Sequence, residues 1–245
     1  MTTIPRTKLH ALYTHLLPGT PLTVDDLAAL GISADLAVHY VRSGWLQRLA
    51  RGVYCKPGDT LSIHGSLVLL ERGFKGLHVG GKTALDWYGV RHYIAQRPVL
   101  DLYGWEAARL PAWFTERFPA AYHRKRIFEE QPEALLSVGP FGQRAGAPNV
   151  SSPERALLEV LSEIGVRESL QEISELVEST YSLRDDVLRG LLEKCTSVKT
   201  VRLCIQLGRE HSLPWVSRLD PTQLPTGSNS HWVSQSDDGL LVLKP

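Results

Sequence analysis

Within its first 58 residues the chain sets three short helix patterns, each closed by a stop, directly ahead of two strand-like pieces joined by a glycine turn. Few folds accept that order. Leu9, Leu12, Tyr13 and Leu16 recur at the spacing of one helical face, and Leu17-Pro18-Gly19 ends the run. Thr23-Val24-Asp25-Asp26 has the form of a capping-box start. It opens a second helix to about Leu30, with Val24, Leu27 and Ala28 expected inward. Gly31 makes the turn, and Ser33 caps a third helix that ends near Gly44. Residues 45–49 and 53–55 read as strands with Arg51-Gly52 between them, and Pro57-Gly58 closes the unit. Two helices across a short glycine turn have helix-turn-helix spacing. The hairpin behind them makes the predicted unit a winged helix-turn-helix.

Beyond it the periodicity changes. Residues 62–72 are predicted helical with Ile63, Leu67 and Leu70 inward, packing back on the first unit or linking it to the second. Residues 76–150 are mixed, with 99–103 and 135–138 strand-like and 83–88 a short helix. Ser151-Ser152-Pro153-Glu154 is a helix start, with proline in the first turn and Glu154 placed for a capping box. Ala156, Leu157, Val160, Leu161 and Ile164 form that helix's apolar face. Further helices are expected near 170–179, 183–193 and 197–210, with a final strand in the tail. The expected architecture is α+β. It has a winged helix-turn-helix at 1–58, a linking helix at 59–75 and a larger mixed α/β C-terminal domain at 76–245.

A chain of 245 residues, 43% hydrophobic and 22% charged, can bury a core of its own and lies within ordinary globular usage. There is no apolar run of about 18 residues to span a membrane, and the N-terminus lacks the apolar region of a secretory signal. Three cysteines without a Cys-x-x-Cys pair speak against a disulfide framework or a zinc cluster. A reduced, cytoplasmic protein with no cofactor and no membrane partner is expected. The net charge of +1 conceals a gradient. Residues 1–58 carry six basic and three acidic side chains, 59–150 eleven and nine, and 151–245 ten and fourteen. An anionic partner is therefore expected at the front only.

The third helix is where chemistry concentrates. With Leu36, Ala37, Tyr40 and Val41 inward, its opposite face carries Ala34, Asp35, Val38, His39 and Arg42. A helix fits the major groove. There Arg42 can bond guanine bidentately, His39 can reach an acceptor, and Val38 or Ala34 can touch a thymine methyl. Arg48 and Arg51 on the hairpin and Lys56 after it are expected along the phosphate backbone, with Arg6 and Lys8 adding phosphate contacts. Asp35 is unfavourable beside phosphate. The competing reading of the same unit is a winged protein-interaction adaptor without DNA affinity.

Enzyme signatures are thin. The run from Gly76 to Gly81-Lys82-Thr83 spells a P-loop, and Asp101 could supply a carboxylate for magnesium. But its feeder, residues 71–75, is polar and unlike a buried strand. The plainer reading is a strand at Leu77-His78-Val79, a Gly-Gly turn and a short helix start. Gly227-Ser228 followed by Asp237-Asp238 invites a nucleotidyltransferase reading, yet adjacent aspartates point to opposite faces of a strand. Nine histidines show no metal spacing, no Gly-x-Ser-x-Gly occurs, and Cys195 and Cys204 read as core residues. No enzyme is expected. Arg124-Lys125-Arg126 reads as a solvated face, the alternative being an extension of a nucleic-acid surface. Lys194, Lys199, Arg202 and Arg209 read as partners of the region's glutamates, the alternative being contact with phosphate or an acidic partner.

Four stretches in order, SGWLQRLARGVYCKPGD, HVGGKTALDWYGVRHY, VSSPERALLEVL and CTSVKTVRLCIQL, give a resemblance that spans about residues 4–245. The chain resembles the AbiEi-type transcriptional regulators, the antitoxins of type IV toxin–antitoxin systems. The resemblance implies a sequence-specific DNA-binding repressor whose winged helix binds double-stranded operator DNA, usually inverted repeats before its own operon. It also implies a C-terminal domain needed for antitoxicity. The implied functional partner is a nucleotidyltransferase-like toxin, neutralised without a stable complex being required. By position, the family's DNA-binding region falls on the third helix, from Ser33 to Ser43, and on the Arg48/Arg51 hairpin. The tail Gly227-Ser228-Asn229-Ser230 departs from the more basic segment expected in relatives.

Overall fold

The computed structural model describes residues 6–15, 17–90, 99–129, 135–228, 230, 232–236 and 239–243. Helix α1 (Arg6–His15) is followed by β1 (Leu22–Thr23), α2 (Val24–Ala29) and α3 (Ala34–Arg42). Thr23 starts α2 with a reciprocal capping box. Its hydroxyl accepts from the Asp26 amide at 3.2 Å, and the Asp26 carboxylate accepts from the Thr23 amide at 2.8 Å. Gly31 turns the chain at φ +73°, a left-handed conformation that suits glycine. The Ser33 hydroxyl then accepts from the Leu36 amide at 3.3 Å to cap α3. Strands β2 (Gln47–Ala50) and β3 (Val53–Cys55) pair antiparallel, and β1 pairs the other side of β3, so the sheet order is β1-β3-β2. The fold is a winged helix.

Leu12, Leu27, Ile32, Ala37, Tyr40, Leu46 and Tyr54 form the small core of this unit. Two inward expectations on the second helix are corrected. Val24 is 39% exposed and Ala28 is exposed, because α2 has only six residues and buries Leu27 alone. Val24 instead faces the wing turn, its amide donating to the Gly52 carbonyl at 3.1 Å. The first wing strand starts at Gln47, leaving Trp45 exposed.

Leu49, Ala50, Val53 and Cys55 turn away from that core and pack on a second, larger one. The wing is thus braced from behind. The loop after α1 is pinned to the same side, where the Gly19 amide donates to Asp59 at 3.0 Å and the Ser62 amide to the Gly19 carbonyl at 2.8 Å. At φ +72°, and with any Cβ only 2.7 Å from the Thr60 carbonyl oxygen, Gly19 has room for glycine only.

The larger part runs α4 (Ile63–Glu71), β4 (His78–Val79), α5 (Gly81–Trp87), β5 (Leu100–Gly104), α6 (Ala112–Thr115), β6 (Ala120–Arg124), β7 (Val138–Pro140) and β8 (Asn149–Ser151). It continues with α7 (Pro153–Glu163), α8 (Leu170–Glu178), α9 (Asp185–Glu193) and α10 (Val198–Glu210), and then a hairpin of β9 (Trp232–Ser236) and β10 (Gly239–Leu243). The five-stranded sheet has the order β6-β5-β4-β8-β7, with β5/β6 and β4/β8 parallel. The strand expected at 135–138 begins only at Val138, after Ser137 takes a positive φ of 53°. Helix α7 has no single apolar face. From Glu154 to Glu163 every residue is buried, charged ones included.

Candidate nucleic-acid interface

Helix α3 is held from one side by Ala37 and Tyr40, both buried in the small core. Ser33, Ala34, Asp35, Val38, His39, Arg42 and Ser43 are all exposed, as the spacing requires. Charges along α3 agree with its dipole. Asp35 stands in the first turn, and His39 and Arg42 stand in the last. That accounts for an aspartate on this face. The His39 ring and the Ser43 hydroxyl approach at 3.5 Å.

On the wing, Arg51 is exposed in the turn beside Gly52, whose φ of +78° tightens it. Arg48 is exposed as well, but its Nε donates back to the Ala50 carbonyl at 3.2 Å, folding the side chain along its own strand. Two lysines expected at phosphate have other contacts. Lys8 Nζ donates to the Gly31 carbonyl at 2.7 Å and so bridges α1 to the turn of the helix-turn-helix. Lys56 is half-buried with its ammonium 5.2 Å over the Tyr13 ring, while Tyr13 donates to the Trp45 carbonyl at 3.0 Å. The Arg6 backbone lies in α1, and its side chain lies outside the described residues.

The P-loop spelling resolves into packing. At the start of α5 the Gly81 amide donates to the Glu159 carboxylate at 3.1 Å, so a carboxylate of the chain itself stands where a phosphate would bind. A Cβ on Gly80 would collide with Glu159 and with the Tyr103 ring. Lys82 donates to Glu168 at 2.6 Å and Glu172 at 3.0 Å. Asp101 is engaged by His123 Nε2 at 2.9 Å, and Arg167 donates to the other ring nitrogen at 2.7 Å. Among the described residues no group of three His, Cys, Asp or Glu side chains could hold a metal ion. Asp237 and Asp238 lie outside the described residues.

The residue that sequence reasoning passed over is Glu159. Burial alone would raise its carboxyl. The charges of His78 and Arg155 and their hydrogen bonds, at 2.8 and 2.7 Å, hold it down at about 2. The Ser151 hydroxyl adds a bond at 2.9 Å. The i,i+4 spacing of Arg155 and Glu159 was the one available signal. Of the basic residues expected to pair with glutamates, Lys199 donates to the carbonyls of Ser162 and Ile164 at the end of α7, and Arg202 donates to those of Thr226, Ser228 and Ser230.

The comparisons with known proteins agree with this architecture. Residues 5–96 match the family described as transcriptional regulator, AbiEi antitoxin N-terminal domain. Residues 97–244 match transcriptional regulator, AbiEi antitoxin, type IV toxin–antitoxin system. The crystal structure of the RV2827C protein from Mycobacterium tuberculosis is similar in fold, with TM-score 0.55 and 14% identity over 93% of this chain and 87% of that one. No curated protein matches the chain. The chain belongs to the AbiEi antitoxin family, the transcriptional regulators of type IV toxin–antitoxin systems.

Proposed function

We propose that the chain is a sequence-specific repressor that seats α3 in the major groove of a double-stranded operator and sets the Arg48/Arg51 turn against the neighbouring backbone. On this reading residues 1–58 bind DNA, 59–75 link, and 76–245 serve antitoxicity against a nucleotidyltransferase-like toxin. The operator consists of inverted repeats before the chain's own operon. One observation carries the reading. The whole outward face of α3, from Ser33 to Ser43, is solvent-exposed while Ala37 and Tyr40 fix the helix from behind. A nine-residue helix is about 13 Å long, close to the major-groove width of about 12 Å. Arg42 and His39 are the side chains on that face with hydrogen-bonding reach to base edges, and Arg51 leads the wing. Phosphate contact then falls to the wing arginines, since Lys8 and Lys56 brace the unit internally. A gel shift with the DNA upstream of the chain's own gene tests the reading. A shifted band that resists unrelated competitor supports it. No shift at low salt makes the unit a protein-contact module instead.

A further inference from the structure

We propose that the cations gathered around Trp105 form a binding site for single-stranded nucleic acid, separate from the α3 face. Three segments meet there. Lys75 comes from the turn between α4 and β4, Trp105 follows β5, and Arg124 and Arg126 come from the end of β6 and just beyond it. The Arg126 guanidinium carbon lies 4.6 Å over the indole centroid and the Lys75 ammonium 5.9 Å from it. The structure divides the basic run at 124–126. Lys125 turns in to pair with Glu163 at 3.0 Å, while Arg124 and Arg126 stay exposed. Of the two that remain outside, Arg126 meets the tryptophan.

The indole is seated firmly. The Trp105 amide donates to the Lys75 carbonyl at 3.2 Å, and the ring lies on the Gly76 backbone, where a Cβ would come within 2.9 Å of it. Gly76 holds φ +69° as well, so no other residue suits this approach. Trp105 Nε1 is buried with no hydrogen-bond partner among the described residues. The ring therefore works through its faces. Lys75 lies 3.9 Å from Glu106, but both are more than half exposed, so this pair neutralises little.

A guanidinium over an indole face combines a cation with a π-surface, and bases stack on Arg planes as they do on aromatic rings. Only unpaired bases offer their faces to such a platform. A duplex hides them and asks for a protruding helix or ribbon, whereas this ridge sits where the edge strand β6 ends. Lys75 beside the ring, and the exposed Arg124 in register with Gly104 next to Trp105 in sequence, supply charge for phosphates.

The test is a fluorescence anisotropy titration of the full chain. The probes are a labelled oligouridine of about ten nucleotides, within the range of single-strand site sizes, and a duplex of unrelated sequence and equal length. The single strand is expected to bind more tightly than the duplex. Arg126→Ala should weaken it about tenfold, the size of one lost stacking contact. Arg126→Lys, which keeps the charge but loses the plane, should recover little. Trp105→Ala should match Arg126→Ala where it folds, and Arg42→Ala should leave oligouridine binding unchanged. Three results overturn the proposal. One is the absence of oligouridine binding. Another is full binding by both Arg126 variants. The third is a duplex bound equally well and weakened equally by Arg126→Ala, which makes the ridge a phosphate contact. Loss of operator binding in Arg42→Ala with oligouridine binding intact keeps this proposal distinct from the operator reading.

Discussion

His78 Nε2 donates to the Glu159 carboxylate at 2.8 Å across 81 residues of sequence, joining β4 to the centre of α7. The other ring nitrogen lies 2.8 Å from the Gly76 carbonyl oxygen, so the ring is held at both nitrogens. Glu159 thereby collects bonds from β4, β8, α5 and its own helix. Removing one member of a buried charged set leaves the others unpaired, typically at about 3–5 kcal/mol. Glu159→Gln is expected to lose that much in urea unfolding. A loss below about 1 kcal/mol contradicts the role given to the network.

The same carboxyl sets the acid limit of stability. Its folded value of about 2 lies below its unfolded one of about 4.5, so its contribution is present above about pH 4.5 and fades as pH falls toward 2. A difference of that size is worth about 3 kcal/mol for a fully buried group. Wild type is expected to lose unfolding free energy over that window, and Glu159→Gln to show a flatter profile.

Glu71 acts at the other end. Burial pushes its carboxyl up to about 7, against the opposing hydrogen bonds from the Asn149 amide and side chain at 2.7 and 2.9 Å. A raised carboxyl favours the folded state below about pH 4.5 and loses that contribution as pH rises through 7. Glu71→Gln should therefore match wild type near pH 5 and exceed it at pH 8 in thermal melts. A variant less stable than wild type at pH 8 contradicts the sign.

Tyr40 is fully buried under α3, and its hydroxyl has no hydrogen-bond partner among the described residues. Tyr40→Phe removes a stranded polar atom and keeps the ring, so it is expected to be neutral or to gain up to about 1 kcal/mol. Tyr40→Ala leaves a cavity worth about 3–5 kcal/mol. Chemical denaturation of the two variants separates ring packing from hydroxyl bonding.

The exposed face of α3 was legible in the sequence because Ala37 and Tyr40 recur at helical spacing beside a glycine turn and a serine cap. Val24 and Ala28 misled because a six-residue helix has too few turns to show a period. The two-residue β4 and three-residue β8 pair with strands far away in sequence, which local pattern does not encode. Lys8 and Lys56 read as phosphate ligands by charge alone. In the structure Lys8 donates to the Gly31 carbonyl and Lys56 lies over the Tyr13 ring, partners 23 and 43 positions away. Charge on a helix is usually solvated, so the sequence around Arg155 and Glu159 carries little sign that both are buried. Only the fold reveals that they answer each other inside it.

Lys8 and Arg51 now carry opposite predictions. Lys8→Ala should lower stability through the lost Gly31 bridge and leave the salt dependence of operator binding unchanged. Arg51→Ala should leave stability alone, weaken every duplex alike and reduce the salt slope by about 1. Melting curves paired with affinity measured at several salt concentrations check both.

The most direct measurement is an anisotropy titration of wild type and Arg42→Ala against the chain's own upstream DNA, with each base pair of the bound site replaced in turn. The account predicts tight, salt-sensitive binding by wild type. Arg42→Ala should lose about 1–3 kcal/mol, confined to one base position whose replacement no longer matters to the variant. Wild type binding this DNA no better than an unrelated duplex, or Arg42→Ala reading every position as wild type does, contradicts it.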